Sequence, residues 1–145
     1  MKNFFFLIFA GLLFLTTSCE KDPYSLDLDR FDVRWFDDDH TGTQTAGDAL
    51  EFAVQINTTD PDHDDQYITE WEFSHRINGH FAGVLQGDEN ANSNGVTLDA
   101  EVFIDELTLP GPGTLQPGDV IEFRVWAIDN HGLELEQFHR YVLED

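Results

Sequence analysis

The chain has 145 residues, of which 29 are acidic and seven are lysine or arginine, and its formal net charge at pH 7 is −22. Such an acidic surface repels phosphate backbones and anionic lipid headgroups, which argues against nucleic-acid binding and against charge-driven membrane binding. Once an N-terminal segment is set aside, the remaining length suits a single domain.

The N-terminal 18 residues have the pattern of an export signal. Lys2 supplies a positive start, an apolar run extends from Phe4 to Leu15, and small polar residues follow it. A charged, an apolar and a small-residue region in this order are typical of a secretory signal, and the run is shorter than the roughly 20 residues of a transmembrane helix. We therefore predict a signal peptide at 1–18; the alternative is a short anchor that is never cleaved.

Cys19 is the only cysteine in the chain, so no intramolecular disulfide can form. It ends the sequence Leu-Thr-Thr-Ser-Cys at 15–19, which resembles the lipobox of bacterial lipoproteins. The Glu-Lys-Asp that follows at 20–22 is similar to the export signal of surface lipoproteins of Bacteroidota. The resemblance implies lipidation of Cys19, and several acyl chains at about 0.8 kcal/mol per buried CH₂ anchor a protein stably. The expected location is the outer membrane, with the domain on either its periplasmic or its outer side.

After a predicted tether at 19–27, apolar residues alternate with polar ones over most of 28–145. A period of two is typical of strands packed on one face, and no stretch keeps a helical period of 3.6. The dipeptide Asn78-Gly79 predicts a two-residue hairpin, and a slip in alternation between Leu135 and Phe138 predicts a bulge. The predicted strands cover 30–36, 50–57, 67–77, 80–85, 96–104, 120–128 and 133–143. In the third strand the side chains expected to face inward are Tyr67, Thr69, Trp71 and Phe73.

About seven short strands separated by Gly, Pro, Asn and Asp are typical of a β-sandwich. Leu115 to Gly132 (LQPGDVIEFRVWAIDNHG) resembles the E–F turn, strand F and F–G loop of fibronectin type III and related immunoglobulin-like domains. Trp71 matches the buried strand-C tryptophan of such folds, whereas Ile121 stands where their corner tyrosine is expected. We predict an all-β fold: a single immunoglobulin-like (fibronectin III or PKD-like) antiparallel β-sandwich at 28–145. The resemblance implies a fold and leaves the chemistry open.

Strand direction in such a sandwich places two acidic loops at the same end. The loop after the second strand is therefore expected beside the loop after the sixth, while the acidic run at 37–39 is expected at the opposite end. Ca²⁺ takes six to eight oxygen ligands from carboxylates and carbonyls. The candidate ligands are Asp60, Asp62, Asp64, Asp65, Asp129 and Asn130. Ordinary loop chemistry, in which Asp and Asn cap turns and keep loops solvated, is the alternative.

The histidines give little support to a transition-metal site. No His-Glu-x-x-His pair is present, and Cys19 is assigned to the lipid. His75 and His80 flank the predicted hairpin turn and are interpreted as surface histidines. No Gly-x-Ser-x-Gly, P-loop or Gly-x-Gly-x-x-Gly motif occurs either, so we predict that the protein is not an enzyme.

Two non-catalytic functions fit these features. The first is a lipid-anchored binding module that holds a glycan or a protein partner on outward-facing aromatics, for which the candidates are Trp35 and Trp126. Aromatic side chains stack on sugars and anchor protein interfaces, although a tryptophan in a sandwich is more often part of the core. The second is a structural accessory subunit of an envelope, secretion or uptake complex, docked through a sheet edge.

Overall fold

The computed structural model describes residues 24–37, 40, 42–45, 47–59, 65–107 and 113–144. These residues form antiparallel strands in two sheets, with the orders β1-β2-β5 and β4-β3-β6-β7. The strands are β1 (Leu26–Phe36), β2 (Ala49–Thr58), β3 (Ile68–Ile77), β4 (His80–Asp88), β5 (Gly95–Phe103), β6 (Val120–Asp129) and β7 (Glu134–Val142). A one-turn 3₁₀ helix, Ile104–Glu106, follows β5. The predicted all-β sandwich of about seven strands is confirmed.

The hairpin turn decides which sheet receives β4. Asn78 and Gly79 have φ values of 51° and 81°, as a type I′ turn requires at both central positions. This tight turn keeps β4 hydrogen-bonded to β3, with Ile77 opposite His80. In constant-type immunoglobulin domains the fourth strand joins the other sheet, so the chain has a three-plus-four arrangement instead of four-plus-three.

The core lies between the two sheets and is built around three aromatic rings. Phe52 of β2 lies 4.9 Å from Phe73 and 5.3 Å from Phe123, measured between ring centroids, and Phe73 stacks on Phe123 at 5.8 Å. Alternate residues of β6 are fully buried, as its sequence pattern predicts: Ile121, Phe123, Val125 and Ala127. Burial of each such side chain stabilises the fold by roughly 1.5–3 kcal/mol for the larger residues.

The turn before β6 is fixed to the Asn78-Gly79 hairpin. The backbone N–H of Gln116 donates to Asp119 Oδ2 at 2.7 Å, and Asn78 Nδ2 donates to Asp119 Oδ1 at 2.9 Å. These hydrogen bonds lower the pKa of Asp119, because both favour the charged carboxylate. The Pro-Gly-Asp turn therefore tightens the entry to β6, at the end of the sandwich opposite Asp65 and Asn130.

The inward face of β3 differs from the prediction at its start. Ile68, and not Tyr67, is fully buried. The register of β3 against β6 shifts between Ile68 and Glu70, and such an irregularity changes which alternate residues face inward. Beyond the shift, Trp71 and Phe73 face inward as predicted, with Trp71 packed partly buried against the core.

Two further predictions are wrong. β7 pairs with β6 in continuous register, without the predicted bulge, because Phe138 simply faces solvent at 44% exposure. His75 is not a surface histidine: it is 5% exposed and faces the core opposite Phe123. β1 starts at Leu26, within the predicted tether segment, whose alternative interpretation is the start of the first strand, and its register shifts between Leu28 and Arg30.

The predicted signal peptide, Cys19 and most of the tether lie outside the described residues. Within the described part of the chain, no helix is long and apolar enough to cross a membrane.

Candidate functional sites

The loops that leave β2 and β6 meet at one end of the sandwich, called here the acidic end. Asn130 Nδ2 donates to the backbone oxygen of Asp65 at 2.7 Å, and the backbone N–H of Tyr67 donates to Asn130 Oδ1 at 2.9 Å. The predicted proximity of the two loops therefore holds for Asp65 and Asn130. Asp60, Asp62 and Asp64 lie outside the described residues.

The start of the domain packs against the acidic end. Tyr24 donates its hydroxyl hydrogen to Asp65 Oδ2 at 2.6 Å, and its ring stacks on His131 with centroids 4.2 Å apart. The hydrogen bond to Asp65 raises the pKa of Tyr24, since the phenol must keep its proton to donate. This contact places the N-terminal side of β1 beside the acidic loops, as strand direction predicts.

Asp129 is a structural carboxylate. Asp129 is 3% exposed, and its Oδ1 accepts hydrogen bonds from the backbone N–H groups of His131 at 2.9 Å and Leu133 at 2.8 Å. Its Oδ2 accepts a third hydrogen bond, at 2.8 Å, from Gln66 Nε2. These bonds close the β6–β7 turn, in which Gly132 has a φ of 81°. The geometry of Asp129 matches the loop-chemistry interpretation.

Gln66 is the feature of the acidic end that fits a bound cation or water. It is fully buried, its Nε2 also donates to the backbone oxygen of Ser25 at 3.1 Å, and its Oε1 accepts no hydrogen bond. A buried acceptor without a donor is a group that an ordered water or a cation satisfies. However, the described residues contain no cluster of three or more His, Cys, Asp or Glu able to hold a metal ion. The Ca²⁺ site at Asp60, Asp62, Asp64, Asp65, Asp129 and Asn130 stays a prediction.

Calcium binding has a direct thermodynamic test. A cation that binds only the folded state stabilises it by RT ln(1 + [L]/Kd), about 2.7 kcal/mol at a hundred-fold excess over Kd. If the site exists, 5 mM Ca²⁺ raises the melting temperature above its value in EDTA, and 5 mM Mg²⁺ raises it less. Equal melting temperatures in Ca²⁺ and in EDTA would reject the predicted Ca²⁺ site.

The second candidate region is the solvent-facing side of the four-stranded sheet, called here the four-strand face. Residues directly opposite each other in antiparallel strands point to the same side. The pairing therefore places Phe81 beside Arg76, and Val84 beside Ser74. Of the five large hydrophobic residues that are more than 40% exposed in the described part of the chain, four lie on this face: Phe81 (60%), Val84 (53%), Phe138 (44%) and Val142 (43%).

Ion pairs occupy the middle of the four-strand face. Arg124 Nη1 lies 2.9 Å from Glu72 Oε1, and Arg124 Nε lies 2.6 Å from Glu136 Oε1. Arg76 forms a longer pair with Glu122, at 3.6 Å. The guanidinium carbon of Arg76 also lies 5.5 Å from the centroid of the Phe138 ring. The face thus carries apolar side chains on both outer strands around a ladder of paired charges.

Trp126 lies on the four-strand face, as the alternation of β6 predicts. It is paired with Glu72 on one side and Glu136 on the other, and its ring lies 5.8 Å from the guanidinium carbon of Arg124. The residue is partly buried by these neighbours. An indole held against an arginine is a rigid surface that can contact a partner with little loss of side-chain entropy.

Trp35 has a different environment. It packs partly buried against the core, and its Nε1–H donates to Asp48 Oδ2 at 3.1 Å. Asp48 is fully buried and also accepts a hydrogen bond from the backbone N–H of Thr45 at 2.8 Å. These contacts give Trp35 a structural role, and its role in binding stays a prediction. The burial of Asp48 was not predicted, because Asp48 lies in a loop, where an acidic residue is expected to be solvated.

A trough of about 670 Å³ is lined by charged residues of the three-stranded sheet, and also by Phe52 and by His139 of β7. Ala53, which also lines it, lies between Asp32 and Asp99 on the neighbouring strands. Arg30 pairs with Asp32 at 2.8 Å and reaches Asp99 at 3.9 Å. The charged groups that line the trough are therefore largely paired with one another, and the exposed apolar side chains lie elsewhere.

Comparisons with known proteins identify no family. No protein-family model matches the chain, and no curated protein sequence matches it. Among solved structures, a protein from Bordetella pertussis provisionally identified as ApaA is similar to 84% of this chain and 94% of its own, with 12% sequence identity and a TM-score of 0.41. Similarity at that level carries no information on function.

Proposed function

We propose that this protein is a lipid-anchored binding module of the cell envelope that holds a protein partner on its four-strand face and has no catalytic activity. The proposal is carried by the clustering on that one face of four of the five exposed large hydrophobic residues found among the residues that the structure describes. Single exposed hydrophobic residues are ordinary on protein surfaces, whereas a group of them on one face is typical of an interaction site.

The composition of the four-strand face favours a protein over a sugar. Protein interfaces are enriched in aromatic residues and arginine at their centre. Here Trp126 and Arg124 lie beside each other, with Phe81 and Phe138 on the flanking strands. A glycan site needs hydrogen-bonding groups free to contact hydroxyls, and the charged groups here are paired with each other.

The size of the face sets the expected strength of binding. Four strands about 4.8 Å apart, and apolar residues spread over about six residues of strand, give a patch on the order of 300 Å². A standard interface buries about 800 Å² on each partner. The apolar residues therefore supply the centre of an interface, and loops at one edge must supply the rest.

The position of the anchor keeps the four-strand face accessible. Tyr24, which packs at the acidic end, is five positions after Cys19, and five fully extended residue steps span at most about 18 Å. A lipid on Cys19 would hold the acidic end close to the bilayer. The strands would then point away from the membrane, and both sheet faces would be open to partners from the side.

The four-strand face can be tested with matched phenylalanine variants. Phe138→Ala removes a 44% exposed ring from the face, and Phe36→Ala removes a 42% exposed ring from β1 of the other sheet. After a partner has been cross-linked in the native envelope and purified, we expect Phe138→Ala to weaken its binding by about tenfold or more, and Phe36→Ala to leave it unchanged. If the two variants have equal effects, the partner binds elsewhere on the protein. If the protein binds a glycan on an array and still binds it after Phe138→Ala, the partner is a sugar and the proposal of a protein partner is rejected.

A further inference from the structure

His75 is a buried histidine without a hydrogen-bond partner. It lies on the inward side of β3 between Phe73 and Ile77, and it is 5% exposed. Neither Nδ1 nor Nε2 forms a hydrogen bond of normal geometry, and the backbone of Gly83 supplies only a weak polar contact. Buried polar groups are nearly always hydrogen-bonded, because an unpartnered group forfeits the hydrogen bonds that water would give it. The imidazole is tolerated here in its neutral form, and a charged imidazolium would cost far more.

The edge strand β4 separates His75 from solvent. The residue opposite His75 on β4 is Gly83, where a Cβ atom would lie 3.6 Å from His75 Cε1. The register of β3 against β4 shifts on both sides of this pair, between Phe73 and Ser74 and between His75 and Arg76. β4 is also the outermost strand of its sheet. An edge strand with an irregular ladder is the part of a sheet that opens at least cost.

The residues opposite His75 on β4 and β6 carry no negative charge that could stabilise a protonated imidazole. The side chain facing it on β6 is Phe123, with ring centroids 6.5 Å apart, and the facing residue of β4 is Gly83, which has no side chain. The titratable group in the same cross-strand row is His139 of β7, on the far side of Phe123. A second imidazole offers no negative charge, so the imidazolium form gains little inside the sheet beyond the weak contact with the Gly83 backbone and is stabilised mainly by water.

We propose that His75 makes the attachment of β4 acid-sensitive: protonation of the imidazole draws water into the sheet by releasing β4 from β3. Phe81 and Val84 lie on β4, so the release also removes two apolar residues from the four-strand face. That second consequence rests on the proposed function, whereas the release of β4 does not.

The direction of the pH dependence follows from linkage. Burial lowers the pKa of His75 from its ordinary value of 6.5, and the backbone of Gly83 opposes this only in part. Above about pH 6.5 the imidazole is neutral in both the closed and the open form, and β4 has its full stability. Below it the open form takes up a proton first, so the opening equilibrium grows by up to about tenfold per pH unit until the folded-state pKa is reached.

Hydrogen exchange of the full-length protein in detergent tests the proposal. Protection factors are compared at pH 7.5 and 5.0 for the amides of β4 and, as an internal reference, of β2. We expect acid to lower the protection of β4 by about tenfold or more relative to β2. His75→Leu and His75→Gln cannot titrate, so the extra acid-induced loss of β4 protection disappears in both. The control is His80→Asn, which removes an exposed histidine from the same hairpin and keeps the extra loss of protection. The carboxylates titrate in every variant, so the difference between variants isolates His75.

Two outcomes overturn the proposal: protection of β4 that is independent of pH in the wild type, or the same acid loss in both His75 variants. Binding of the cross-linked partner is measured separately at the two pH values. Acid release of β4 with unchanged partner binding would leave the role of His75 intact and reject the four-strand face as the binding site.

Discussion

Replacing Asp129 with alanine is expected to lower the free energy of unfolding by about 3 kcal/mol. The change removes the acceptor of three hydrogen bonds: the N–H groups of His131 and Leu133 lose their side-chain acceptor, and the amide of Gln66 keeps only its hydrogen bond to Ser25. Each buried donor left unsatisfied costs about 1–3 kcal/mol, although such costs are not additive. Against a total stability of about 5–15 kcal/mol this is a large loss, which thermal and urea unfolding would detect.

Two further variants show whether the hydrogen bonds are responsible. Asp129→Asn keeps one oxygen for the backbone N–H groups but turns an NH₂ group toward Gln66, so we expect an intermediate loss of stability. Asp99→Ala removes the same formal charge from a side chain that is 71% exposed, and its effect should stay within about 0.5 kcal/mol. If Asp99→Ala and Asp129→Ala destabilise equally, the effect is due to charge and the structural role of Asp129 is rejected.

Replacing Cys19 with alanine is expected to abolish incorporation of a fatty-acid probe and to move the protein from the membrane fraction to the soluble fraction. The reason is chemical: the thiol at position 19 is the only one in the chain, so no other side chain can carry the thioether lipid. One acyl chain gives only marginal membrane binding, and stable anchoring needs at least two. Loss of the modified cysteine should therefore remove anchoring completely.

Ser18→Ala is the matched control for this experiment. It keeps a small residue immediately before the cysteine, as the cleavage zone of an export signal requires, and labelling should persist. Label that remains on Cys19→Ala would show that the lipid is attached elsewhere and would remove the anchor from the proposed function.

The acidic end shows how far the candidate site could be predicted. Strand direction alone brings the loop after β2 to the loop after β6, and the contact between Asp65 and Asn130 agrees with it. The orientation of the Asp129 carboxylate could not be predicted. Two of its hydrogen-bond donors are the backbone N–H groups two and four residues later, and the third donor, Gln66, is 63 residues away in the chain. A sequence shows that a carboxylate is available and does not show which donors have already engaged it.

The two candidate binding tryptophans make the same point. Both alternate with neighbours in a strand, and only their surroundings separate them. Trp35 is engaged by Asp48, a residue from the loop before β2, whereas Trp126 lies among charged side chains on the four-strand face. The alternation of residues along a strand shows on which side of the strand a side chain lies. Which other side chains pack against that side depends on the neighbouring strands.

The sequence by itself determined the all-β class, most of the strands, the Asn78-Gly79 hairpin and the inward residues of β6. These follow from short-range rules: a period of two and the φ values that turn residues allow. Only the tertiary structure decided that His75 is buried without a partner, that Phe138 faces solvent without a bulge, and that the exposed apolar residues gather on the four-strand face. The physical reason is that burial and cross-strand proximity depend on register between distant segments, and a shift of one residue reverses the side on which each side chain lies.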